Sequence, residues 1–152
     1  MSVNKVRVFR THPDAKIPVR AHETDAGMDF FFTPIEAAAV RIKPGQSVLL
    51  ETGIKMQVPS GCMLQIMNKS GVASKRHLLT GACVVDEGYT GEIFVNLHNI
   101  GTNVEFIEPG QKIAQGVFVR IAKPVLWEIH EDKIYDERTT RGDGALGSTG
   151  DK

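Results

Sequence analysis

Residues 40–50, VRIKPGQSVLL, contain the pattern that decides the fold class. Hydrophobic and charged side chains alternate from Val40 to Lys43, as they do on a strand with one buried face. Pro44 and Gly45 then mark a turn, and a second apolar segment follows at once. This stretch predicts two short strands joined by a tight turn.

The same combination of short apolar segment and turn recurs along most of the chain, with further turn sequences at 59–61 and 108–111. No window keeps helical periodicity for three turns, although residues 71–77 could form one or two. Many short strands with frequent turns predict an all-β sandwich, jelly roll or barrel. The other predicted strands are Val6–Phe9, Met28–Phe32, Val48–Leu50, Ile54–Val58, Met63–Met67, Ala82–Val85, Ile93–Leu97, Val104–Ile107, Ile113–Ile121 and Val125–Ile129.

Composition sets limits on the class of protein. The chain has 152 residues, and its 18 Lys and Arg balance 18 Asp and Glu, which argues against a protein that coats nucleic acid. No apolar run reaches the roughly 18 residues needed to span a bilayer. The first residues also lack the apolar centre of a signal peptide. We therefore expect a cytoplasmic domain (in the host cell if the gene is viral) with no nucleic-acid or membrane partner.

The two cysteines, Cys62 and Cys83, form no C-x-x-C pair, and the five histidines show no ligand spacing. Neither a disulfide framework nor a zinc site is expected.

Three segments suit phosphate chemistry, and each has a plain structural alternative. Lys69, Ser70 and Gly71 follow a strand and combine a cation, a hydroxyl and flexible backbone, as in a phosphate cradle or a helix cap. Asp86 ends an apolar strand, where a carboxylate acts as a general base or begins a turn. Asp29 could hold a divalent cation that keeps several waters. Taken alone, each segment favours the structural alternative.

The chain becomes polar after Glu128 and ends RTTRGDGALGSTGDK at 138–152. Composition alone favours a frayed terminus. Arginines, hydroxyls and bare glycine backbone are also what a segment that wraps a phosphate needs.

The order of these segments resembles the homotrimeric dUTPase family, whose members cut dUTP to dUMP and pyrophosphate. Five segments match the family's motifs in order, and together they span nearly the whole chain: DAGMDF (25–30), NKSGVA (68–73), GACVVDEGYTGEI (81–93), PGQKIAQGV (109–117) and RGDGALGSTG (141–150). The resemblance implies a distorted jelly-roll-like barrel with at most one short helix. It further implies a barrel domain at 1–135 and a flexible arm at 136–152 that closes over a site shared within the trimer.

The resemblance also implies a role for each matched residue. Asp86 would activate the water that attacks the α-phosphorus in line, and Asp29 would reach a Mg²⁺ cofactor through water. Uracil and deoxyribose would contact Gly81, Cys83, Val85, Tyr89 and Leu146. The phosphates would contact Lys69, Ser70, Gly71, Gln115, Arg141, Gly147, Ser148 and Thr149. Backbone pairing in the hairpin would exclude cytosine, and Tyr89 beneath the sugar would exclude ribose.

The sequence departs from the family pattern at five positions. Lys69 stands for the usual Arg, Asn68 for Pro, Cys83 for Gly, Ala145 for Gly, and Leu146 for the Phe that stacks on uracil. These departures predict weaker substrate binding or looser closure of the arm than in a typical member, with intact chemistry because Asp86 is present.

Two alternatives remain open from the sequence. A dCTP deaminase shares this fold but has an arginine-rich second motif where this chain has NKSG. A regulatory protein that senses nucleotide and contacts a protein partner is the other. As a dUTPase, the protein would limit uracil in DNA and supply dUMP for thymidylate synthesis.

Overall fold

The structure is a computed structural model that describes residues 5–36, 38–137, 139–140 and 142–143. Short strands dominate this part of the chain, which has one α-helix, α1 (Ser70–Arg76), and one 3₁₀ helix at Glu131–Lys133. The predicted all-β fold class is confirmed. The strands are β1 (Val8–Arg10), β2 (Met28–Phe31), β3 (Val40–Ile42), β4 (Ser47–Glu51), β5 (Ile54–Met56), β6 (Cys62–Met67), β7 (Leu78–Thr80), β8 (Val84–Val85), β9 (Phe94–Asn99), β10 (Glu105–Ile107) and β11 (Lys112–Arg120).

The strands pair antiparallel in four sheets. The largest sheet has the order β2-β11-β6-β8, a second has the order β4-β9-β7, and β1-β5 and β3-β10 form two ribbons. No two consecutive strands of the described chain pair with each other. The turn between β3 and β4, in which Gln46 N donates to Lys43 O at 3.0 Å, therefore connects two different sheets. Segments far apart in sequence meet as a result.

The core lies where the alternating faces of these strands converge. In β5, for example, Ile54 and Met56 are buried on either side of the exposed Lys55. Burying each large apolar side chain contributes about 1.5–3 kcal/mol. The largest fully buried side chains are Phe30, Phe32, Ile42, Leu50, Ile54, Leu64, Ile66, Leu78, Ile93, Leu97, Ile107 and Ile113.

The chain forms two compact units, Met1–Ala122 and Lys123–Lys152, and the first contains all eleven strands of the described residues. The boundary at residue 135 and the closing arm at 136–152 stay predictions.

The predicted strand at Val125–Ile129 is wrong. Val125, Leu126 and Trp127 are 94%, 91% and 84% exposed, and the segment joins no ladder in the part of the chain that the structure describes. An alternating pattern becomes a strand only when another strand takes up its backbone groups. Among the described helices, none is long and apolar enough to cross a membrane.

Candidate active site

The four-stranded sheet brings the predicted site segments together through its register. β11 is central, and its Gln115 lies opposite Asp29 of β2 on one side and Met67 of β6 on the other. Asn68 and Lys69 follow Met67 directly, so they leave the sheet at the same level as Asp29 and Gln115. We call this group the phosphate end of the sheet.

Asp29 is the electrostatic centre of the phosphate end. Its residue is only 5% exposed, and its two carboxylate oxygens each face an ammonium group. Lys69 Nζ lies 2.7 Å from Oδ1 as a hydrogen-bonded ion pair. Lys112 Nζ lies 2.7 Å from Oδ2 as a second ion pair. Burial raises the pKa of Asp29, but the contacts with Lys112 and Lys69 outweigh burial and hold the pKa below 3.8.

Gln115 and Asn68 connect the motifs at this end. Gln115 Nε2 donates to Asn68 O at 2.9 Å. The Asn68 side chain accepts from Thr80 N at 2.8 Å and from Thr80 Oγ1 at 3.1 Å. A Cβ at Gly27 would overlap the Gln115 amide, so a larger residue there would displace the Gln115 side chain from its contact with Asn68. The loop that begins at Asn68 is thus fixed to both β11 and β7.

The segment Lys69-Ser70-Gly71 begins α1. Lys69 is the N-cap residue, but its side chain binds Asp29 and makes no cap hydrogen bond. Ser70 is exposed, and a Cβ on Gly71 would meet open space. A helix cap therefore accounts for the backbone of this segment but not for its side chains. The Lys69 ammonium, beside Asp29, and the exposed Ser70 hydroxyl could both contact an anion.

A second group of predicted residues lines a cleft of about 220 Å³ beside β8. Cys83, Val85, Asp86 and Tyr89 all lie on its wall. The volume is below that of sites that enclose a drug-sized ligand. It therefore fits part of a nucleotide, such as its base, and not a whole triphosphate.

Tyr89 is held in place at the rim of this cleft. Its hydroxyl donates to Glu92 O at 2.7 Å, and its ring lies over Gly91, where a Cβ would come 2.5 Å from Tyr89 Oη. Tyr89 N donates to Asp86 O at 3.1 Å and closes the turn between them. This turn fixes Tyr89 relative to the backbone of Asp86. The side-chain carboxylate of Asp86 has no hydrogen-bond or ion-pair partner among the described residues.

Asp86 and Lys69 lie near opposite ends of β6. The cleft itself extends along β6 as far as Ile66, whose N–H donates to Cys83 O. Val85 pairs with Leu64, and Gly61 N donates to Glu87 Oε2 at 3.2 Å, which places Asp86 near the start of β6. Lys69 follows the other end. The six residues of β6 span roughly 20 Å at about 3.3 Å a residue.

A larger cleft, of about 800 Å³, lies elsewhere in the first unit. Its lining is mainly apolar, with Val8, Met56 and Phe118 among its members, and it contains no predicted catalytic or phosphate-binding residue. We place the site by its chemistry, because volume alone does not supply a base or a cation.

Five predicted residues lie outside the described part of the chain: Arg141, Leu146, Gly147, Ser148 and Thr149. The structure brings the others into the two groups above, except Gly81. The Gly81 N–H donates to Asn96 O of β9 at 3.0 Å, outside both groups. Sequence reasoning missed Lys112 and the contact between Asn68 and Thr80. Lys112 lies inside the fourth motif, and its charge was the available signal.

The side chains around Asp29 are poorly suited to bind a metal ion directly. Both oxygens of Asp29 already face lysine ammonium groups, which compete with a cation. The described residues contain no group of three or more His, Cys, Asp or Glu side chains that could hold a metal ion. The role of Asp29 toward Mg²⁺ through water stays a prediction.

Both the sequence and the fold of this chain are similar to those of known proteins. The family model for dUTPase matches residues 13–150. The chain belongs to the dUTPase family. It is 40% identical over 148 residues to the deoxyuridine 5′-triphosphate nucleotidohydrolase of Clostridium novyi, covering 96% of this chain and 99% of that protein. It is 35% identical over 154 residues to the enzyme of Escherichia phage T5, covering 97% and 99%.

Solved structures of dUTPases share the fold. A mutant dUTPase of Staphylococcus bacteriophage 80α with bound dUpNHpp has a TM-score of 0.86 and 27% identity, covering 97% of this chain and 99% of that one. A mutant dUTPase from phage φ11 of S. aureus, with a coordinated structural Mg(II) ion, has a TM-score of 0.76 and 27% identity, covering 84% and 98%. The 80α protein is also described as controlling the transfer of virulence genes. A regulatory role for this dUTPase family member stays a prediction.

Proposed function

We propose that this protein hydrolyses dUTP to dUMP and pyrophosphate, and so limits uracil in DNA and supplies dUMP. One observation carries the proposal: a single sheet holds a cation-rich phosphate end and, near the other end of β6, Asp86 on the wall of a small cleft. Membership of the dUTPase family supports the choice of substrate.

Asp86 acts as the general base. Its carboxylate is exposed beside the cleft and has no bonding partner among the described residues, so it is free to accept a proton from water. The water oxygen attacks the α-phosphorus in line, and the bond from the α-phosphorus to the bridging oxygen breaks. The electron pair leaves with pyrophosphate, and Asp86 takes the proton. Such a transfer depends on positioning and charge stabilisation.

The cleft beside β8 binds uracil and deoxyribose. The backbone between Gly81 and Val85 offers hydrogen-bonding groups at the fixed spacing of a strand, which suits the edge of a pyrimidine. Tyr89, fixed by Glu92 O, packs against the sugar. Cytosine would place a donor against a donor, which costs about 1–3 kcal/mol for each unpaired buried group.

The phosphate end binds the triphosphate. Lys69, Ser70 and Gln115 supply a cation, a hydroxyl and an amide, and Gly71 leaves room for an oxygen to approach its backbone. Arg141, Gly147, Ser148 and Thr149 of the C-terminal arm complete the contacts and exclude water when the arm closes. Magnesium enters as part of the substrate, the Mg²⁺–dUTP complex, and its inner ligands are phosphate oxygens and water.

The site is shared between copies of the chain in a homotrimer. Within one chain, the base Asp86 and the cation Lys69 are separated by roughly the length of β6, about 20 Å. That distance is too great for both residues to act on one α-phosphorus. A neighbouring copy supplies the second group, and closed three-fold symmetry makes all three sites equivalent.

Hydrolysis in ¹⁸O-labelled water tests the reaction. Attack at the α-phosphorus puts the label in dUMP, which mass spectrometry detects, and leaves pyrophosphate unlabelled. Label found in pyrophosphate would contradict the proposed mechanism, and release of ammonia from dCTP would point to a deaminase.

A further inference from the structure

We propose that Lys112 is a second cation of the phosphate site, held beside Lys69 by the buried carboxylate of Asp29. This role rests on the proposed function, since it concerns how the triphosphate of dUTP is bound. The matched family motifs give Lys112 no role.

A β-bulge directs Lys112 to this position. Gln115 and Gly116 pair regularly with Asp29 and Met28, but the register shifts between Lys112 and Ala114. Lys112 consequently lies opposite Phe31, which shares a face of the strand with Asp29 because side chains alternate. Regular pairing would have placed Lys112 opposite residue 32, on the face that packs in the core. Bulges commonly redirect a side chain in this way.

The three charged groups form a cluster with one excess positive charge. The Asp29 side chain is 7% exposed, whereas those of Lys69 and Lys112 are 32% and 44% exposed. Each ammonium group has three donors and faces Asp29 as its one charged partner in the described chain. The buried carboxylate fixes both ammonium groups and leaves donors free for phosphate oxygens.

The cluster lies beside the groups already assigned to the phosphates. Lys112 precedes Gln115 on β11, and Gln115 binds the carbonyl of Asn68, the residue before Lys69. Position 69 is a lysine where the family usually has arginine, so this chain lacks the two-pronged contact that a guanidinium makes with phosphate. Lys69 at the N-cap of α1 and Lys112 on β11 replace that contact with two separate donors.

The variant Lys112→Met tests this role, with the exposed Lys43 in the turn before β4 as matched control (Lys43→Met). We would measure the Kd of dUpNHpp with Mg²⁺ by calorimetry, the inhibition constant of deoxyuridine, and KM and kcat for dUTP. We expect Lys112→Met to weaken dUpNHpp binding and raise KM roughly tenfold or more, as for a lost hydrogen bond to a charged group. Deoxyuridine, which has no phosphate, should bind unchanged. Lys112→Arg should stay within about threefold of wild type.

Three results would overturn the role of Lys112. The first is a lower unfolding temperature for Lys112→Met with unchanged dUpNHpp affinity, which would make the lysine only a counterion of Asp29. The second is an equal loss of affinity for dUpNHpp and deoxyuridine, which would indicate a general distortion. The third is a Kd for dUpNHpp that is tenfold weaker in Lys112→Arg than in the wild type. This third result decides the question if Lys112→Met does not fold. A wild-type protein that binds dUpNHpp through Lys112 but does not hydrolyse dUTP would contradict the proposed function alone.

Discussion

Asp86 is the residue on which the proposed chemistry depends most directly. It follows β8, lies on the wall of the cleft, and has no bonding partner among the described residues. We expect Asp86→Asn to lower kcat for dUTP by at least about a hundredfold, because general-base catalysis contributes roughly 10²–10⁴-fold. The Kd of dUpNHpp should change little, since the amide keeps the shape of the side chain.

Glu128→Gln is a suitable control for this comparison, because Glu128 is exposed and lies well outside all five motifs. Full activity of Asp86→Asn would remove Asp86 from the mechanism. Weaker dUpNHpp binding with an unchanged kcat would make Asp86 a residue that binds substrate and not the general base.

Asp29 gives the protein a pH-dependent component of stability. Because its folded pKa lies below 3.8, the unfolded chain takes up the proton at a higher pH than the folded chain does. The contribution to the free energy of unfolding is therefore complete above the unfolded value. It is lost as the pH falls through the lower, folded value.

We expect Asp29→Asn to cost about 1–3 kcal/mol at pH 7, because two lysines lose their common partner. The difference between wild type and variant should shrink as the pH falls below the unfolded pKa of Asp29, because the unfolded wild-type chain then binds a proton that the folded chain does not. Urea unfolding of both proteins at pH 7 and pH 3 measures this. A difference that stays constant with pH would show that the ion pairs contribute nothing.

At the scale of elements, hydrogen bonds outside the regular strand pairing connect β6 and the residue Asn68 to β7 and to the segment after it. Ile66 N donates to Cys83 O at 2.7 Å, and the Asn68 side chain then accepts both polar hydrogens of Thr80. We expect Asn68→Ala to lower the free energy of unfolding by about 1 kcal/mol. Thr80→Val should cost less, because its backbone N–H keeps the acceptor.

A double-mutant cycle in urea measures the contact between Asn68 and Thr80. Once Asn68 is alanine, adding Thr80→Val should cost almost nothing, since the hydroxyl has already lost its partner. Strictly additive effects would mean that the two side chains do not interact.

Local alternation and turn residues were sufficient to predict most strands, because each strand buries one face. β7 was missed, since Leu78–Thr80 is too short to show a period and follows α1 directly. Val125–Ile129 has the right composition but no partner strand among the described residues. Sequence pattern reports which side chains favour burial, and it does not report whether a partner strand is present.

The motif residues of the site were predictable from the order of five segments, but their contacts were not. The two-lysine arrangement at Asp29 depends on a bulge between Lys112 and Ala114, and a bulge changes the facing of a side chain without changing the local pattern. The separation of Asp86 from Lys69 depends on strand pairing across the sheet, which no short window of sequence contains.

At the scale of the whole molecule, that separation predicts complementation between inactive variants. Asp86→Asn and Lys69→Met each damage every site of their own homotrimer. If a site takes Asp86 from one copy and Lys69 from another, trimers formed by refolding an equal mixture have about a quarter of their sites intact. We expect the mixture to recover a corresponding fraction of wild-type activity.

Mixing the two folded variants without denaturation serves as the control, because it measures any recovery that does not require new trimers to form by refolding. No recovery after co-refolding would place Asp86 and Lys69 of the same chain in one site. A monomer by light scattering would contradict the shared site as well.

The most direct test of the central claim is the release of pyrophosphate by the purified protein with Mg²⁺ and each of dUTP, dCTP, dTTP and UTP. We predict rapid release from dUTP alone, because the proposed base site would exclude cytosine through the backbone beside β8 and ribose through Tyr89. Equal turnover of all four nucleotides, or none of dUTP, would contradict the account.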